Sequence, residues 1–348
     1  MKKLTIAGNA LADVIKRIDA YPSPGMLCKI GEIVRGVGGS VPNTGIDLKT
    51  LDPQGIEVKA IARLGKDENG AFIKKVLSSR GVDISGITED DALATSFTDV
   101  MTLPNGDRTF FTAPAASSVF CEKDIDFDSL DCDIFHIGYL LLLDALDAPD
   151  KEYGTKMARL LKRVQDKGIR TSIDVVSGEG GRFREIVVPA LRYCDYVVIN
   201  EVEASLVTGC EIRKEDKIDL SAMKQACEEL KALGVKRVAS VHCPEVGVAL
   251  GEKGEYAVVP SLDLPKGYIS GAVGAGDAFC AGMLYAFLTD MPLVKALELA
   301  SCAAACNLSS PDSIGGARSL AETLALEKKF NRKSLRTVSE KLIKNEIK

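Results

Sequence analysis

Between Ser270 and Leu288 a string of small residues runs to Gly276 and gives way, after the carboxylate of Asp277, to apolar positions at Ala278, Phe279, Met283, Leu284 and Phe287. Small residues permit tight turns, and the apolar spacing predicts a helix, so the turn lies at a helix N-terminus. There the N–H groups of Ala275, Gly276 and Asp277 lack intrahelical acceptors and converge on one point, where the helix dipole favours negative charge. Phosphate is the natural guest of an anion hole built from Gly274, Ala275 and Gly276. Asp277 has two readings. A lone aspartate in front of a helix is ordinarily its N-cap. A carboxylate beside an anion hole repels the anion, a placement that makes sense if it takes a proton from an incoming hydroxyl. The residues alone leave cap and base open.

The elements that must position this turn follow from hydrophobic patterning. Runs rich in β-branched residues at Leu4 to Ala7, Val58 to Ala62, Ile134 to Ile137, Thr171 to Val175, Tyr196 to Ile199 and Val235 to Val241 read as buried strands. Amphipathic stretches lie between them, including Ala71 to Arg80, Tyr153 to Lys167 and Leu220 to Leu233. The alternation predicts a three-layer α/β/α core with a mostly parallel sheet. The opening segment, from Met1 to Ile18, reads as a first strand with Asp13 at its end. Two regions break the rhythm, Arg17 to Val37 and Thr95 to Thr112, the second carrying an AsnGlyAsp turn at Asn105 to Asp107 that reads as a β-hairpin. Together they predict a small β-sheet lid formed by residues 12–37 and 95–112, with the core at 1–11, 38–94 and 113–330. Residues 331–348 read as a charged helical tail, solvated rather than binding.

GlyAlaGlyAsp followed by AlaPheCysAlaGly resembles the C-terminal signature of the ribokinase-like (PfkB) carbohydrate kinases, and other pieces match in that family's order. Gly38 and Gly39 with Asn43 resemble its glycine-glycine signature, Leu64 to Gly70 its GxDxxG stretch, Gly106 to Thr109 its lid turn, and Asn200 to Glu203 its NxxE motif. The resemblance spans roughly Thr5 to Gly316 and implies a ribokinase-like fold and transfer of phosphate from ATP to a sugar hydroxyl, with Asp277 as base. It further implies that Asp13, Gly39, Asn43 and Arg108 bind substrate, and that Asn200, His242, Gly247 and Asn307 lie toward the nucleotide. Glu203 would hold Mg²⁺ through water; without the family, Asn200 and Glu203 are a capping-box pattern at a helix start. A nucleoside kinase of the same fold is the rival enzyme, and a non-catalytic sugar- or nucleotide-binding regulator the rival from another class. Lid pairing in relatives makes a homodimer plausible.

The chain departs from its relatives in places. Gly271, Ala272 and Val273 replace an AspThrThr run whose first residue helps bind an activating monovalent cation, which puts potassium dependence in doubt. His242 and Pro244 stand where threonine and glycine are common, so nucleotide contacts there must differ, and Leu11 replaces a polar sugar contact. His136, inside an apolar strand, reads as a core histidine with no role. Phe110 and Phe111 alternate on the second hairpin strand, so one of them faces the cleft.

The bulk properties exclude several classes. With 348 residues, 46% hydrophobic and 27% charged, the chain buries a large core and is not disordered by default. A net charge of -5 gives no general attraction to nucleic acid or anionic membranes. No stretch reaches the roughly 20 apolar residues of a membrane span. The ten cysteines are scattered without a zinc-type CxxC pair, which points to a reducing, cytoplasmic setting.

Overall fold

The computed structural model describes residues 1–177, 181–215 and 217–335. Its core is a nine-stranded sheet. In chain order the strands are β1 (Lys2–Gly8), β4 (Ile56–Gly65), β5 (Asp83–Asp90), β8 (Ile134–Leu140), β9 (Arg170–Val175), β10 (Tyr196–Asn200), β11 (Val238–His242), β12 (Val246–Leu250) and β13 (Tyr256–Pro260). Their spatial order is β13-β12-β11-β10-β9-β8-β1-β4-β5, parallel throughout except for the last two strands, which return antiparallel beside β11.

Side chains alternate across a strand, and this sheet buries both faces. Leu4, Ile6, Val58, Ala60 and Val198 pack with helices α1 (Ser40–Leu51), α2 (Glu68–Ser79), α7 (Ala275–Leu288) and α8 (Leu293–Leu308). Ala7, Ile61, Phe135, Ile173 and Val197 face the other way, toward α3 (Lys156–Asp166), α4 (Phe183–Leu191), α5 (Glu201–Thr208) and α6 (Leu220–Ala232). The three-layer expectation holds. In such sheets ligands bind at the carboxyl ends of the strands. Tyr139, Asp174, Asn200 and His242 all lie at those ends.

The lid is a separate four-stranded sheet of β2 (Leu11–Ile18), β3 (Ile30–Gly38), β6 (Phe97–Thr102) and β7 (Arg108–Ala113), ordered β3-β2-β6-β7. Here one sequence reading is corrected. The opening segment is two strands in two sheets, broken at Asn9 and Ala10 where Gly8 takes φ 120°, so Asp13 is not at the end of the first strand but in lid strand β2, within the 12–37 span expected of the lid and opposite Gly36 and Thr98. Asp67 of the GxDxxG stretch caps α2 through the Gly70 N–H and also accepts from Thr95 N and Oγ1, which anchors the lid's second entry to the core. Of the tail expected to be helical from 331, residues 331–334 are not helical. Arg332 bridges to Leu262 in an antiparallel pair instead of continuing a helix, because its guanidinium is drawn to Glu327 and to the Pro260 carbonyl. Residues 336–348 lie outside the described residues.

Candidate active site

Helix α7 begins at Ala275, and its N-cap is Gly274 in the left-handed conformation (φ 82°), with no side chain capping it. A Cβ on Gly274 would stand 2.5 Å from the Ser313 carbonyl oxygen, so this turn demands glycine. Asp277 is therefore the third residue of the helix, one turn inside the capping position, and the cap reading fails. Its buried carboxylate bonds elsewhere. Asn43 Nδ2 of α1 donates to Oδ2 at 2.9 Å, and the Tyr139 hydroxyl from the end of β8 donates to Oδ2 at 2.9 Å and Oδ1 at 3.1 Å.

Burial pushes the Asp277 carboxyl up to about 7, and the charge of Asp174 adds to that, while the bonds from Asn43, Tyr139 and Thr44 pull it back. A carboxylate poised near neutrality accepts a proton readily and releases it again. Asp13 is raised to about 6 by burial, which the Arg108 guanidinium opposes. Glu203 is raised to about 7, again by burial. It closes a capping box on α5, accepting from Asn200 N at 3.0 Å and from Ser177 Oγ at 2.7 Å, while Asn200 Oδ1 accepts from Val202 N and Glu203 N.

A cleft of about 1100 Å³ runs between Asp277 and Glu203, and the expected substrate residues Asp13, Gly39 and Asn43 are not among those that line it. Tyr139, Asp174, Asn200, Glu203, His242, Gly274, Gly276 and Asp277 line it, and Arg108 and Phe110 reach in from the lid. Of the two phenylalanines, Phe110 thus faces the cleft. Asn43 sits behind Asp277. Gly39, the N-cap of α1 at φ 88°, lies against Asn9, where a Cβ would meet Asn9 Oδ1 at 2.5 Å. Buried Asn9 Oδ1, Ser40 Oγ and Asn43 Oδ1 have no hydrogen-bond partner among the described residues, a set of polar atoms suited to a hydroxylated ligand.

Two expected nucleotide residues are not brought to the cleft. Gly247 pairs with His242 on the antiparallel return strand, and a Cβ there would meet the Phe279 ring at 3.0 Å, so it serves helix packing. Asn307 is buried in the last turn of α8 and donates to the Ser313 carbonyl at 2.6 Å, tying down the loop that abuts Gly274. His242 does line the cleft, stacked on Phe279 with ring centroids 4.5 Å apart. Burial lowers its imidazole to about 4, so it faces the site neutral. Gly271 has a packing reason, since a Cβ there would come within 2.8 Å of the Ser310 carbonyl.

Two residues went unread in the sequence. Tyr139 closes an apolar strand and Asp174 ends another, so both resemble interior positions. Asp174 accepts the Tyr139 N–H at 2.6 Å and meets His136 Nε2 at 3.3 Å, and His136 Nδ1 lies 3.0 Å from Ser172 Oγ, which leaves His136 the satisfied core residue expected.

A cleft at the strand ends, a glycine turn opening a helix and a buried carboxylate beneath a β-lid form the arrangement expected of a small-molecule kinase of the ribokinase fold. The pfkB family of carbohydrate kinases matches residues 1–319, and the chain belongs to that family. It is 25% identical to the probable fructokinase-7 of Arabidopsis thaliana over 283 residues, 80% of this chain and 78% of that protein. It is 26% identical to the ATP-dependent ribose-1-phosphate kinase of Halopiger xanaduensis over 310 residues, 88% of this chain and 91% of the relative. In fold it resembles the ribokinase of Arabidopsis thaliana solved with ribose and ATP, at a TM-score of 0.77 and 20% identity, covering 94% of this chain and 99% of that one. Among the described residues no helix is long and apolar enough to cross a membrane.

Proposed function

We propose that the protein is an ATP-dependent sugar kinase in which Asp277 deprotonates the acceptor hydroxyl. The observation that carries this is the Asp277 carboxylate, buried in the first turn of α7 beside the Gly274 to Gly276 amides yet bonded only by side chains from distant elements. On this reading Asp13, Asn43 and the unpartnered buried atoms of Asn9 and Ser40 orient the sugar hydroxyls, and Arg108 lines the cleft from the lid. The amides of the α7 turn stabilise negative charge on the transferred phosphoryl group. Magnesium, when bound, neutralises the donor's phosphates. Glu203 fits it, being a carboxylate at the cleft wall, 4% exposed and held in place by Asn200 and Ser177, and a hydrated ion would reach it through water. Closure of the lid excludes water that would otherwise compete for the phosphoryl group. The lid also exposes Ile33, Val34 and Phe111, which supports pairing with a second copy; sedimentation of the wild type as a monomer would remove that part of the reading.

The test is ADP release with Mg-ATP across ketoses, aldoses, sugar acids, sugar phosphates and nucleosides, with Asp277→Asn alongside. Acceptor-dependent release by the wild type, lost in the variant, supports the reading and names the substrate class. Silence across the panel with ATP still bound turns the reading toward a regulator.

A further inference from the structure

We propose that Tyr139 is a positioning residue for the base: its hydroxyl, donated to both oxygens of Asp277 and aimed by a backbone turn that Asp174 pins, keeps that carboxylate ionised and oriented while the site awaits its acceptor. The proposal rests on the reading of Asp277 as base.

The backbone supplies the first argument. Tyr139 adopts φ 64°, a left-handed conformation uncommon for bulky side chains. Were the turn alone required, glycine would fill it without strain. Yet the glycine here is one position earlier, at Gly138, where any Cβ would collide with Ser40. The strained position carries a side chain, and that side chain ends on Asp277. The turn is held from below. Asp174 Oδ1 accepts the Tyr139 N–H at 2.6 Å, while its Oδ2 is engaged by His136. Such strain persists where the surroundings over-determine it, commonly at functional sites.

The charges around Asp277 supply the second. From α1 it is faced by Asn43, Thr44 and the buried carboxyl of Asp47, from β9 by Asp174, and from its own helix by the Cys280 thiol. Asp13 of β2 acts on the Tyr139 hydroxyl, and His242 of β11 lies against Gly276 in neutral form. None of these described neighbours is a cation; Arg108, the basic side chain that lines the cleft from the lid, acts on Asp13. The negative charge of Asp277 is therefore sustained by hydrogen-bond donors, and Tyr139 reaches both of its oxygens. An acceptor hydroxyl must approach the same two oxygens, so it takes the place of the phenol. The influence of Tyr139 accordingly belongs to the free enzyme, which kcat/KM reports, more than to the substrate complex, which kcat reports.

The experiment uses the full chain labelled with [¹³Cγ]aspartate, the Asp277 signal being the one absent from Asp277→Asn. In Tyr139→Phe its titration is expected to move upward by about one pH unit, the scale of one lost hydrogen bond to a carboxylate. Site-specific 3-fluorotyrosine at position 139, a stronger donor, is expected to move it downward and serves if the phenylalanine variant does not fold. With an acceptor in hand, the acid limb of kcat/KM should follow the same shifts, with a deficit of about tenfold at low pH that shrinks as pH rises and a smaller change in the kcat profile. An unchanged Asp277 titration in both variants overturns the proposal whatever the activity. Shifted titration in a protein inactive toward every acceptor upholds the Tyr139 contact and sinks the kinase reading instead.

Discussion

Two carboxylates occupy the same helical position and meet different fates. Glu203 and Asp277 are each the third residue of a helix at the mouth of the cleft, both are buried, and both are raised to about 7. Glu203 turns back on its own N-terminus, where Asn200 supplies a side-chain cap and an N–H, so its partners come from within three residues and from Ser177. Asp277 follows a glycine N-cap in the left-handed conformation and finds its partners 234 and 138 residues away, at Asn43 and Tyr139. A locally satisfied carboxylate is a fixture of its helix and can hold hydrated cations without moving. One held by distant elements is exposed to whatever enters between those elements. That difference supports the proposed division, in which Glu203 serves the metal and Asp277 takes the proton.

The sharpest break of this comparison is to neutralise each in turn. Asp277→Asn is expected to lower turnover by roughly a hundredfold or more with ATP binding kept, the scale of losing a general base. Glu203→Gln preserves an acceptor for the Asn200 N–H, so we expect a loss of about tenfold, the low end for a group that orients a metal's surroundings, together with a higher Mg²⁺ requirement. Steady-state rates over a Mg²⁺ series distinguish them. If saturating Mg²⁺ restores neither variant, the division of labour is wrong. In the wild type the acid limb of kcat/KM should fall near pH 7, because Asp277 must be ionised to act and its carboxyl is raised to about that value.

What the sequence disclosed follows the same divide between local and distant. The sheet and its helices were legible because strand and helix periodicities are local, and so were the α7 turn and the Asn200–Glu203 box, each contained within a few residues. The break at Asn9 was not. Two strands joined by two residues look like one long strand, which set Asp13 at its end although the lid was expected over 12–37, and tertiary pairing decides for the lid. Gly247 and Asn307 were carried by resemblance, and here one packs on Phe279 and the other braces a loop. Tyr139 and Asp174 gave no signal, since a tyrosine or an aspartate at the end of a buried strand has a dozen structural uses. Their meaning comes from the convergence of β8, β9 and α7.

Stability measures the same contrast on a smaller scale. A carboxyl raised in the folded state binds its proton more tightly there than in the unfolded chain, so the native state is favoured below about pH 4 and loses that advantage progressively as pH rises to about 7. Asp277→Asn stays neutral throughout. Its Tm should therefore exceed that of the wild type above pH 7, by a margin on the order of 5 °C, and the gap should close toward pH 4; a gap independent of pH would mean the side chain is not buried with its charge. Asn200→Ala probes the local partner. It removes the bonds from Val202 N and Glu203 N together with the Nδ2 donor to Glu203, and should cost about 1 kcal/mol, read by denaturant titration as a lower midpoint with an unchanged slope. Because that cap is confined to the first turn of α5, the same substitution should leave the acid limb of kcat/KM, set by Asp277 across the cleft, where it was.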